Sequence, residues 1–120
     1  MHELSVCIAL MQQVERVARD HRAGSVRRIV LQIGPLSGVE APLLQRAWPL
    51  AATGTLAETA ELVIEAVPVS IRCSQCDEVS EVPANRLLCA ACGDFRTRLV
   101  SGDEMLLASM ELAEFEDAVA

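Results

Sequence analysis

From Ser5 to Arg22 apolar residues fall at Cys7, Leu10, Met11, Val14, Val17 and Ala18. That spacing draws one stripe down an amphipathic helix. Ser5 suits its N-cap and Gly24 its stop. Between Val26 and Ile33 the period changes to two, with Ile29, Leu31 and Ile33 on one face and Arg28, Val30 and Gln32 on the other. This reads as a strand, broken by Gly34-Pro35. Ser37 and Glu40 stand three apart ahead of an apolar run, the capping-box pattern. A second helix is therefore expected from Val39 to Ala52. Pro42 fits its first turn, whereas Pro49 removes a backbone donor and should kink or shorten the last turn. A second strand is expected from Glu61 to Val69, with Pro68 marking its end or an edge. A last strand is expected from Met105 to Leu112, after the turn signal Ser101-Gly102-Asp103. The acidic tail Glu114 to Ala120 is expected to fray.

These elements predict an α+β fold: two helices on one face of a small three-stranded sheet, with an inserted four-cysteine, zinc-ribbon-like module. Residues 1–70 plus 100–120 form one domain, and 71–99 a second, inserted one. The insert reads as an extended loop between two strands that pair with each other. There is no internal repeat and no low-complexity segment.

The insert carries Cys73-x2-Cys76, twelve residues, then Cys89-x2-Cys92. Each C-x-x-C places two thiolates on a tight turn, and two such turns complete the tetrahedron that zinc prefers with sulfur ligands. Gly93 suits the sharp turn after the second pair. Two redox dithiols or two disulfides are the alternative reading, and the paired spacing favours zinc. Four thiolates leave no open position for water, so this Zn2+ is structural rather than catalytic. Its binding energy is then folding energy for the insert. Cys7 lies outside the set, on the helix stripe, and reads as a buried core residue.

Composition narrows the function. Hydrophobic residues make up 52% and charged ones 22%, which describes a globular chain. Aromatic residues are only Trp48, Phe95 and Phe115, so the core must come from Leu, Val, Ile, Ala and Met. A metal offsets part of that deficit. The net charge is −7 and every basic residue is Arg, which argues against nucleic acid as a partner. No apolar run is long enough for a membrane span. The start MHELSVCIALMQQVERVARD does not read as a signal peptide. Cysteines grouped in C-x-x-C pairs suit a metal site in a reducing cytosol, so the expected location is cytoplasmic. No Ser/His/Asp set, open-site zinc motif or phosphate loop is present, and no catalytic residue is assigned. An enzyme is not expected.

His2 can offer three nitrogens in sequence: the α-amine of Met1, its own amide and its imidazole. Together they suit the tetragonal geometry of nickel(II) or copper(II). A solvent-exposed histidine is the plainer alternative. Glu3 equally suits the positive end of a helix dipole, and His21 the negative end.

The opening MHELSVC, the strand exit IGPLSGVE, the segment GTLAE, the C-x2-C-x12-C-x2-C insert and the closing GDEMLLASMELAE together resemble HypA/HybF-type hydrogenase maturation proteins. The resemblance covers essentially the whole chain in one register. It implies a metallochaperone that delivers Ni2+ for [NiFe]-hydrogenase maturation, and in some relatives for urease. It assigns the nickel site to Met1 (through its backbone nitrogen), His2, Glu3 and Glu40, within the 1–70 plus 100–120 domain. Glu40 has the capping box with Ser37 as its competing role. The implied partners are the hydrogenase large-subunit precursor and a nickel-handling maturation GTPase, the chain itself being a monomer or weak homodimer. Pro49 and the aromatic-poor second helix depart from the family. A zinc-ribbon protein-interaction scaffold without a transferable metal is the competing reading.

Overall fold

The computed structural model describes residues 2–114, and side chains from Glu3 onward. The acidic tail beyond Glu114 lies outside the described residues. The chain divides into two compact units. The first comprises Met1–Leu31, Glu40–Ile64 and Leu107–Ala120, and the second Gln32–Val39 and Glu65–Leu106.

The first helix, α1, spans His2–Asp20. It starts four residues earlier than an N-cap at Ser5 would have it, and Ser5 lies inside it. The expected stripe is buried at Cys7, Leu10, Met11, Val14 and Ala18, with Val17 half-buried at its margin. Gly24 is not the stop. The amides of His21 and Arg22 close the helix on the carbonyls of Val17 and Arg19, and Arg22 itself takes the left-handed turn at φ 55°. His21 Nδ1 also donates to the Val17 carbonyl at 2.9 Å, a helix-end role suited to a basic ring.

Strand β1 therefore begins early and spans Ala23–Ile33. Ile29, Leu31 and Ile33 are buried as the alternation required, and Val26 is buried with them. Helix α2 spans Ala41–Ala52 with Glu40 at its N-cap and Pro42 in its first turn. The capping box does not form: the helix starts at Ala41, four residues after Ser37, so Glu40 falls at the cap rather than at N3. Ser37 Oγ instead accepts from the Val39 amide at 3.2 Å. Pro49 does not shorten the helix, which continues to Ala52 and closes through the Thr53 amide and hydroxyl on the Pro49 carbonyl. Helix α2 packs against α1 and buries Leu44, Trp48 and Ala52.

The expected second strand ends three residues early, as β2, Glu61–Ala66, and a further strand, β3, follows at Ser70–Cys73. Pro68, which cannot donate to a ladder, lies in the break. After β3 come β4 (Val79–Glu81), β5 (Thr97–Ser101) and β6 (Met105–Glu114). One sheet has the order β2-β1-β6, the three-stranded sheet expected. β2 and β6, the strands expected to pair across the insert, do not pair with each other, because β1 lies between them. Arg28 of β1 marks this, reaching Glu61 of β2 and Glu111 of β6 at 3.5 Å each. The insert is also no extended loop. It forms a second sheet, β4-β3-β5, with both pairings antiparallel. Ile71, Cys73 and Cys89, with Val82 against them, make its small core.

Candidate metal centre

Two similar turns build the cysteine cluster. In the first, the Cys73 amide donates to the Glu78 carbonyl and the Asp77 amide to the Cys73 carbonyl. In the second, Cys89 donates to Asp94 and Gly93 to Cys89. Each turn closes through a left-handed residue, Asp77 (φ 64°) and Gly93 (φ 76°). Inside each turn, amides point at the first sulfur: Gln75 and Cys76 at Cys73 Sγ (3.3 and 3.5 Å), and Cys92 at Cys89 Sγ (3.4 Å). At Cys89 the donors stabilise thiolate over thiol. The Ser74 amide donates to the Arg96 carbonyl at 2.9 Å, tying the first turn to the exit of the second.

The four Sγ atoms all lie within 4.8 Å of one another. Cys73 meets Cys92 at 3.6 Å and Cys76 meets Cys89 at 3.5 Å, so the close pairs run between the two turns. A tetrahedron with zinc–sulfur bonds of about 2.3 Å has edges of roughly 3.8 Å. The donor set fits zinc in number, type and spacing. All five cysteines of the chain are free thiols, so neither C-x-x-C pair is a disulfide.

Four sulfurs this close cannot all ionise unaided. The Cys92 and Ala91 amides bring the Cys89 thiol down to about 7. At Cys76 the Glu78 amide pulls downward, yet the Cys89 sulfur, burial and the other two sulfurs outweigh it and push the thiol up to about 12. A divalent cation removes that conflict, because a coordinated thiol is deprotonated outright. Sequence reasoning missed Arg96. It is held by Asp94 at 2.9–3.0 Å, which lifts its pKa, and the Cys73 and Cys92 sulfurs add to the effect. The hint in the sequence is only an Asp-x-Arg step just past a C-x-x-C-Gly turn.

The second predicted constellation is at the N-terminus. Met1 lies outside the described residues, and His2 contributes the first backbone position of α1. Glu3, half-buried, lines a depression of about 290 Å³ with Leu4 of α1 and with Leu43, Arg46, Ala47 and Leu50 of α2. Glu40 is exposed, one helical turn before Leu43, and makes no capping hydrogen bond. One turn beyond Glu3, Cys7 is fully buried and its Sγ donates to the Leu44 carbonyl at 3.6 Å. Burial and the Glu3 charge raise its thiol pKa. Cys7 thus joins the helices as a core residue.

No helix among the described residues is long and apolar enough to cross a membrane. The family model described as hydrogenase/urease nickel incorporation, metallochaperone, HypA, matches residues 1–112. Among similar proteins, hydrogenase maturation factor HypA of Nitrosospira multiformis is 50% identical over 112 residues, covering 93% of this chain and 97% of its own length. The factor of the same name from Aquifex aeolicus is 42% identical with the same coverage. The solution structure of the Ni metallochaperone HypA from Helicobacter pylori matches with a TM-score of 0.70 at 27% identity, covering 93% of this chain and 97% of that one.

Proposed function

The chain belongs to the HypA family of hydrogenase/urease nickel-incorporation metallochaperones, and on that premise we propose that it carries nickel and is not an enzyme. In this reading it works in the cytoplasm and hands nickel to the large-subunit precursor of a [NiFe]-hydrogenase, with a nickel-handling GTPase as its loading partner. Nickel is its cargo, and zinc at Cys73, Cys76, Cys89 and Cys92 is the resident, structural ion. Residues 1–70 with 100–120 form the nickel-binding part, and 71–99 the zinc-binding part.

The observation that supports this most is that α1 opens at His2 with Glu3 in its first turn. The first amides of a helix have no intrahelical acceptor. The His2 amide can therefore give up its proton to water and bind a metal through its nitrogen without breaking the helix. The Met1 amine, the His2 amide and the imidazole close two chelate rings, and Glu3 or Glu40 supplies a carboxylate. Nitrogen and oxygen ligands at a chain end compete with protons and exchange readily, which suits a carrier. Four thiolates do not.

Titrating untagged, zinc-loaded protein with Ni2+ tests this. One saturable nickel per chain is expected, weakened by about tenfold or more in His2→Ala, with zinc content unchanged. Absence of saturable nickel binding in the natural protein supports the scaffold reading instead.

A further inference from the structure

Arg72 of β3 lies directly opposite Arg98 of β5 in antiparallel register. Directly opposed residues share a face, with Cβ atoms about 5 Å apart, and like charges so placed destabilise a sheet. The chain has 17 acidic residues to 10 basic ones, yet two guanidinium groups meet here. The cysteine cluster does not require them, since Arg96 already sets a guanidinium beside the Cys73 and Cys92 sulfurs.

Arg72 is partly offset. Its Nη1 lies 3.2 Å from Asp77 Oδ1 and 3.4 Å from the Asp77 carbonyl oxygen. That carboxylate is held at φ 64°, where the second turn has Gly93, a conformation that a non-glycine residue adopts at a cost. Arg98 pairs with no carboxylate among the described residues. Arg72, Arg98, Asp77, Ser74 and Cys73 wall one concavity of about 310 Å³.

We propose that Arg72 and Arg98 form a carboxylate-binding site, that its ligand is an Asp or Glu side chain on an acidic segment of a partner protein, and that Asp77 is its internal stand-in. Two planar forks on one face match the two oxygens of a carboxylate. Asp77 already places a carboxylate on one of them. An incoming carboxylate bridges both arginines, offsets their repulsion and takes the Ser74 hydroxyl as a further donor. Asp77 then competes with the ligand for Arg72.

The test uses the full-length, zinc-loaded, isotope-labelled protein and an acetylated, amidated tri-glutamate peptide at constant ionic strength, read by amide chemical shifts. Saturable shifts are expected at Ser74, Asp77 and Arg98. Arg98→Gln should weaken binding about tenfold or more, and Arg98→Lys by less. Asp77→Asn, which tolerates the same backbone conformation, should tighten binding several-fold by removing the competitor. Zinc content and the rest of the amide spectrum show that each variant is folded. Shifts that do not saturate, or that persist in Arg98→Gln, overturn the site. Unchanged affinity in Asp77→Asn overturns the stand-in role. Tighter binding of inorganic phosphate than of the peptide overturns the carboxylate assignment.

Discussion

Single side chains set the two proposed metal chemistries apart through protons. The α-amine and imidazole ordinarily titrate near about 8 and 6.5, so protons compete for the proposed nickel ligands within the working range. Nickel affinity should fall as pH drops below about 6.5, while zinc is retained longer. A titration that is flat between pH 6 and 8 would count against His2 as a ligand. Asp94 shows the opposite case of a group that does not titrate there. Its hydrogen bonds from the Arg96 side chain and amide lower its pKa from 3.8 to about 2. A depressed folded-state pKa stabilises the fold above the unfolded value and loses that effect only as pH falls towards the folded one. Asp94→Asn should therefore lower the melting temperature by the same amount at pH 8 and at pH 5. A difference that changes between those values would contradict the assignment.

The elements are held by contacts that periodicity does not reveal. A Cβ on Gly34 would overlap the Gly102 carbonyl group. The chain joins there through the Gly34 amide to the Glu104 carbonyl and the Leu36 amide to the Gly102 carbonyl. Backbone on both sides leaves nothing to yield, so Gly34→Ala should cost about 1–3 kcal/mol or more in denaturant unfolding. Wild-type stability in that variant would mean that the approach is not tight. In α2 the reverse is expected. Pro49 leaves the Gln45 carbonyl without its helical donor, and Pro49→Ala should raise stability by about 1–2 kcal/mol. Both helices, β1 and β6 were legible because their apolar patterns run for eight residues or more. The second sheet was not, because β3 and β4 have only four and three residues, too few for a period. Its order comes from the turns at the cysteines and from Ile71. The register that opposes Arg72 to Arg98 depends on both strands at once, and no local pattern carries it. The capping box misled because Ser37 and Glu40 have the right spacing in the wrong register.

Across the molecule, two kinds of metal chemistry are proposed for one short chain. The cysteine cluster was readable almost completely, since four ligands in two fixed spacings leave few other uses. Cys76→Ser should abolish zinc retention and, because binding free energy there is folding free energy of roughly 10–16 kcal/mol, unfold residues 65–106 as a unit. Loss of amide dispersion confined to residues 73–92 would contradict that cooperativity. The N-terminal chelate that we propose rests on the resemblance more than on the residues, because one His-Glu step is common. The most direct measurement is the nickel and zinc content, by metal analysis after dialysis against Ni2+, of the natural chain and of one extended by three residues before Met1. The extension removes the terminal amine from the chelate and leaves every side chain in place. The predicted result is one zinc in both and one nickel only in the natural chain; equal nickel in both would contradict the N-terminal site.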